Sequence, residues 1–544
     1  MTRWMRAVLV ALGALATAVV PASVASAHDA NANAHDAKPR TLQVGTWHRR
    51  QGQYTSIQAA VDAARPGDWI LVAPGDYHER GDYTGHLVAP DVSGAGVMIR
   101  TPDIHLRGLD RNRVIVDGTK PGSAPCDASP AAQDPGPPGP DSRPLGRNGV
   151  EVYEADGVTV ENMTVCNFLT GAGGGGNQVW FNGGDGSGSV HLGSYRGAYL
   201  SATSTYYGGA NAPAGEYGIF ASNSRGPGLI AHTYASNMAD ASYYIGACPD
   251  CNAVVTDAHA QNSALGYSGT NSGGHLVLED SEWDHNKTGI STNSQNNDDA
   301  PPPQDGSCPG TSGARSCTFF RDNWIHDNDN PNVPGSGTAE LGPVGTGIVV
   351  AGGRFDTITG NRIERNGAWG VLLVPYPDTE TPPPIAHCQG GTQQSPGLCY
   401  FDDWGNEVAH NDFASNGGFG NVTNGDLGDV SGLHTPGNCW HDNRDRSGVV
   451  SSAPANLQTT HATCGVANQG ADLSSPLAAQ VICDTQVFGP CADTPGMHYP
   501  RQTVVQLMPL PRERTMDDVC DDVPSGSWCH GNDHPSHHRH VHDD

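Results

Sequence analysis

Residues 262–289 read Asn262-Ser-Ala-Leu-Gly-Tyr-Ser-Gly-Thr-Asn-Ser-Gly-Gly-His-Leu-Val-Leu-Glu-Asp-Ser-Glu-Trp-Asp-His-Asn-Lys-Thr-Gly289. The phrase begins with an asparagine shortly before a glycine, runs through a short apolar strand, and returns to its opening as Asn286-Lys-Thr-Gly289. A Gly or small residue opens a strand in the same way at Gly218, Ser242, Gly266 and Gly289, at intervals of 24, 24 and 23 residues. Gly347 and Gly370 repeat the 23-residue step, the second after Asn366. A fixed period in the low twenties is the mark of a solenoid, whose units cannot bury an apolar face until neighbours stack on them. Leucine-rich repeats share this length, but leucine is scarce here and β-branched residues, Asn and Gly dominate, which favours a β-helix. Each turn of the coil would carry about three short strands, paired with its neighbours at about 4.8 Å. Asn262, Asn286 and Asn366 are then expected at turns, stacked as a ladder. The fold class is all-β.

Upstream, Gly149-Val-Glu-Val-Tyr153 and Gly157-Val-Thr-Val-Glu-Asn-Met-Thr-Val165 follow the same grammar. Strands are expected at 97–100, 105–107 and 114–117. Between Thr41 and Asp76 the pattern changes. Thr55 and Gln58 form a capping box, and Ile57, Ala60, Val61 and Ala64 make one apolar stripe of a short helix over 55–64. Such a helix can plug the open end of a solenoid. Trp69–Ala73 reads as a buried strand, turned by Pro74-Gly75-Asp76.

Residues 121–146, 171–188, 293–316 and 375–400 interrupt the repeat, and insertions of this kind tend to emerge on one face, often the binding face. The regular signal fades after about residue 425. The expected organisation is a leader at 1–27, a linker at 28–40, the β-helix at 41–429, a Cys-rich cap or small domain at 430–529, and a His-rich tail at 530–544. The leader reading rests on Arg3 and Arg6, an apolar run from Ala7 to Val20, and Ala25-Ser26-Ala27. That run is shorter than the ~20 residues needed to span a bilayer, so no membrane span is expected.

The chain has 14 cysteines, an even number, and export permits disulfides. Local staples are expected at Cys248/Cys251, Cys308/Cys317, Cys388/Cys399, Cys483/Cys491 and Cys520/Cys529, with Cys126/Cys166 and Cys439/Cys464 completing the set. A secreted, extracellular monomer is the reading. The net charge of −28, with lysine only at Lys38, Lys120 and Lys287, argues against nucleic acid. It also argues against a polyanionic substrate unless divalent cations bridge the two.

The run Tyr54-Thr-Ser-Ile-Gln-Ala-Ala-Val-Asp-Ala-Ala-Arg-Pro-Gly-Asp-Trp-Ile-Leu-Val-Ala-Pro-Gly-Asp-Tyr-His-Glu79 resembles the opening segment of the pectate-lyase-like superfamily. With the downstream rungs the resemblance covers roughly residues 41–425. It implies a right-handed coil and, most often, carbohydrate chemistry, so polysaccharide is the expected partner. Fold alone does not settle function. The Gly-His-Gly and Arg-x-Lys of polygalacturonases and the Asp-Pro-His of alginate epimerases are absent. The Trp-Ile-Asp-His stretch of pectate lyases is matched approximately, and twice: Ser281-Glu-Trp-Asp-His-Asn286 and Asn323-Trp-Ile-His-Asp-Asn328.

These two copies supply the candidate site. Asp284, His285, His326 and Asp327 would meet on a sheet edge as a cluster for acid–base work, with Trp283 and Trp324 as substrate-stacking residues. Arg321 is the candidate anion stabiliser, with Arg354 and Arg365 as alternatives. Asn296, Asn297, Asp298 and Asp299 offer the oxygens that calcium prefers. Two functions remain open: a lyase, hydrolase or epimerase, and a non-catalytic glycan-binding or cell-surface β-helix.

Overall fold

The computed structural model describes residues 38–80, 93–209, 212–296, 308, 317–379, 388, 390–485 and 496–529. The leader at 1–27, Asn297–Asp299, Cys491 and the tail at 530–544 lie outside the described residues. The chain is a right-handed parallel β-helix. Among the described residues one sheet of 19 strands and one of 11 wind around a common core, and the strand pairs along the coil are parallel. Right-handed crossovers are the rule between parallel strands.

The large sheet bends once in every rung, so the coil has three faces. At the bend one residue takes a left-handed conformation: Asn162, Tyr199, His232, Asp257, Asp280, Asp322, Gly360, His410 and Asp442. Asn, Asp and Gly tolerate that conformation best, which is why the bend is rich in them. Strand residues before the bend form face I and those after it face II; the 11-stranded sheet is face III. Within each short strand alternate side chains point in and out. Val255, Leu278, Phe320 and Ile358 line the interior of face I, and Ala260, Trp283, Ile325, Ile363 and Phe413 that of face II.

Asparagine ladders hold the turns. Asn286 and Asn328 donate from Nδ2 to Oδ1 of the next rung's Asn328 and Asn366 (3.1 Å each), and Asn366 does the same to Asn416 (3.0 Å). A second ladder joins Asn323, Asn361, Asn411 and Asn443. Asn262, one position earlier in its rung, donates to the matching Asn237 of the preceding rung (2.8 Å) and accepts from Asn330 (2.9 Å).

The N-terminal helix runs from Ile57 to Ala63 and buries Ile57, Ala60 and Val61, three residues of the predicted stripe; the fourth, Ala64, is the half-buried C-cap. Its cap is Ser56 rather than Thr55. Ser56 Oγ accepts from Ala59 N, and Glu79 accepts from Ser56 Oγ and Ile57 N. Gln58 is drawn away from the cap to Met98 on the neighbouring strand. Six of the expected disulfides are formed: 126–166, 248–251, 308–317, 388–399, 439–464 and 520–529.

Residues 430–529 divide into three parts. The coil continues through strands Cys439–His441, Arg444–Asp445 and Ser452–Ala453. Helix Pro476–Thr485 then packs Leu477 and Ala478 against Val349, Trp369 and Leu372 on the outside of face III. Finally 496–529 forms a strap that runs back along the coil towards its N-terminal end. It bonds in turn to Asn421, Asn332, Asn262, Asn237, Asn162, Arg107 and Thr41. Trp528 ends the strap, buried against Trp69, Leu71 and Leu109. Among the described residues no helix is long and apolar enough to cross a membrane.

Candidate functional site

Face II presents two outward columns. Register places His259, Glu282, Trp324, Arg362 and Asp412 in one, and Gln261, Asp284, His326 and Glu364 in the other. Beside the second column stand the left-handed residues His285, Asp327 and Arg365. The parallel ladder thus brings together charged groups from four rungs whose sequence positions span more than a hundred residues.

Asp284 is the centre of the first group. Its side chain is 3% exposed, and it accepts from His259 Nε2 at 2.6 Å, from Gln261 Nε2 at 2.8 Å, and from His285 Nδ1. Burial would raise its pKa, but the hydrogen bonds from the two histidines outweigh that and hold the carboxyl well below its usual range. The histidines respond in the opposite sense. Burial lowers His259, yet its bond to Asp284 leaves it raised, and the same carboxylate raises His285. The result is a fixed anion flanked by two imidazoles biased towards the cation.

His326 is the centre of the second group. Its Nδ1 bonds Asp327 at 2.7 Å and its Nε2 bonds Glu282 at 3.1 Å. Asp327 also pairs with Arg365, which with Arg362 closes on Glu364. Burial would raise both Asp327 and Glu364, but the arginine bonds hold them low. Trp324 lies against His326, with ring centroids 3.8 Å apart, under the Arg362 guanidinium. Its Nε1 donates to Glu364 at 3.2 Å.

Next to these groups an open cleft of ≈ 340 Å³ is lined by Asp257, His259, Asp280, Glu282, Asp322 and Trp324, with Ala258 and Ser281 at its base. Three of its carboxylates, Asp257, Asp280 and Asp322, come from successive bends. Every other lining side chain comes from face II.

The predicted cluster of Asp284, His285, His326 and Asp327 is therefore brought together, and Trp324 borders it. Three expectations need correction or relocation. Trp283 does not face substrate: the two-residue period of the strand turns it inward, where it is fully buried and bonded to Asn323. Arg321 lies on face I, before the bend at Asp322, and is paired with Glu279. Asn296 is buried in the loop between faces III and I, its backbone N bonded to Asp378, on a different side of the coil from the cluster.

His259, Gln261, Glu282, Glu364 and Arg362 were not anticipated. His259 and Gln261 could have been found, since each lies one 23-residue step before Glu282 and Asp284. Arg362 and Glu364 could not, because insertions lengthen the steps that lead to them.

No protein-family model matches the chain, and no curated protein does. Among solved structures, the A-module of the mannuronan C-5 epimerase AlgE6 of Azotobacter vinelandii aligns at 12% identity over 73% of this chain and 86% of that one, with a TM-score of 0.35. Pectate lyase Pel9A aligns at 12% identity over 88% and 91%, TM-score 0.36. A mannuronic acid specific polysaccharide family 6 lyase from human gut microbiota aligns at 13% over 74% and 80%, TM-score 0.38.

Proposed function

We propose that the uncovered part of face II binds an extracellular polysaccharide of low charge and hydrolyses its glycosidic bonds. The observation that carries this reading is the cleft, where carboxylates from successive rungs surround one histidine and the edge of Trp324. Rungs repeat at about 4.8 Å, so carboxylates one rung and two rungs apart span about the separations that retaining and inverting hydrolysis use. A lyase or epimerase acting on uronates needs cationic charge free to offset the substrate carboxylate. Here Arg362 and Arg365 are already committed to Glu364 and Asp327. The formed disulfides fit an oxidising, extracellular compartment.

The test is a polysaccharide panel with and without calcium, reading reducing ends and absorbance at about 235 nm, the band of an unsaturated uronate formed by the lyase route. New reducing ends without the 235-nm band support hydrolysis. The 235-nm band, above all if calcium-dependent, overturns it in favour of lysis. Retention on an immobilised glycan with no product leaves the non-catalytic reading, which the mutual pairing of His326, Asp327, Arg365 and Glu364 would then explain.

A further inference from the structure

A second cluster lies on the same outward column as Asp284, several rungs towards the N-terminus. Asp76 and His78 follow the Pro74-Gly75 turn, and Asp117 ends the strand that pairs beside them. Ligand atoms of Asp76, His78 and Asp117 all lie within 4.8 Å of one another. His78 Nδ1 bonds the carbonyl of Thr119 at 2.8 Å. A carbonyl only accepts, so Nδ1 carries the hydrogen, and in the neutral ring Nε2 presents its lone pair. That lone pair faces Asp76 Oδ2 at 3.1 Å. Two acceptors face each other there unless something positive lies between them. The other oxygen of Asp76, Oδ1, is buried with no hydrogen-bond partner. Asp117 is fully buried and held in place by the backbone N–H groups of Thr119 (2.8 Å) and Cys126 (2.6 Å), which leave lone pairs on both its oxygens.

We propose that Asp76, His78 and Asp117 form a divalent metal site of the zinc class. One imidazole and two carboxylates suit zinc, and an Nδ1–H bonded to a carbonyl is the usual outer support of a ligating histidine. The ion would meet the facing lone pairs of Asp76 and His78 and the orphaned Oδ1 together. It would also tie the loop after Asp117, already stapled by Cys126–Cys166, to the rung below. The site is independent of the cleft: Asp117 and Asp284 are five rungs apart, about 24 Å at about 4.8 Å per rung.

The test uses the full chain stripped with chelator and titrated with zinc alone. Because the chain ends in a histidine-rich segment, the readout is a difference between variants. Wild type is expected to bind one equivalent more than His78→Ala or Asp76→Asn, with the residual affinity at this position at least about tenfold weaker in each. A zinc soak of wild-type crystals, read by anomalous scattering, is expected to place a peak between the three side chains, and it needs no variant to fold. Equal stoichiometry in all three proteins, or anomalous peaks only elsewhere, overturns the proposal.

Discussion

The strap-covered part of the coil's outer surface and the uncovered part of face II are built on one backbone plan and carry different chemistry. Towards the N-terminus the strap packs on outward residues of face I, Trp69, Leu71 and Arg107. Trp528, Val519 and Val523 seal the aromatic end. Arg107 donates to the carbonyl of Asp521, and Arg111 to that of Arg514. The strap leaves face II at Asn237 and Asn262. From His259 onward, beyond the strap, the outward columns of face II carry imidazoles, carboxylates, guanidinium groups and an indole, and the cleft opens there. A parallel coil repeats its backbone but leaves each outward position free. Under the strap that freedom places indole, aliphatic and guanidinium groups against a covering segment, and beyond it the charged groups of neighbouring rungs pair with one another.

A large and spatially extended effect should come from breaking the cover. Trp528→Ala removes a buried indole from the Trp69–Leu71–Leu109 cluster and is expected to cost about 3 kcal/mol or more, read by denaturant unfolding. It should also speed amide exchange along 505–529. Unchanged stability would mean that the strap is an ornament on a self-sufficient coil.

The two tryptophans of the repeated motif sharpen the contrast. Trp283→Ala should cost about 3–5 kcal/mol, since it empties an interior position. Trp324→Ala should leave the fold nearly intact and weaken glycan retention about tenfold, which corresponds to about 1.4 kcal/mol. The reverse pattern would put the wrong indole in the cleft.

Asp284→Asn tests the charge arrangement. His259 and His285 are raised above the usual 6.5, so their contribution to stability is complete below about that pH and is lost as pH rises through their folded values. Asp284 is lowered from 3.8, so its contribution is present above that value and is lost as pH falls through its folded value. The triad therefore stabilises most between these limits. Melting temperature measured from acid to alkaline pH should fall above neutrality in wild type, and the variant should flatten that fall. Identical profiles would remove Asp284 from the account.

The smallest effect is expected at Arg321. Arg321→Ala breaks an exposed pair with Glu279 and should change stability by less than about 1 kcal/mol, with glycan retention unaltered. A marked loss of retention would extend the functional surface onto face I.

Much of the fold was legible because backbone constraints repeat. Gly266 and Gly289 stand in matching positions where a Cβ would meet the next rung's backbone, 2.4 and 2.5 Å from the carbonyl oxygens of Gly289 and Gly347. The ladder asparagines are equally local in origin. The site was only half legible. Asp284 and His326 announced themselves through the doubled motif, while Trp283 was misread because a motif shows spacing but not which face a strand turns to the core. Arg321 failed for a related reason: one left-handed residue, Asp322, sends the two sides of a short segment onto different faces.

The sequence by itself therefore determined the rung, its period, its turn residues and most of its cross-links, since these depend on contacts between matching positions. Only the tertiary structure decided which rungs share a column after insertions of unequal length, and where a strap from the far end of the chain lies. Those outcomes come from stacking and from contacts across hundreds of residues, such as Thr41 with Pro524. No local pattern encodes them.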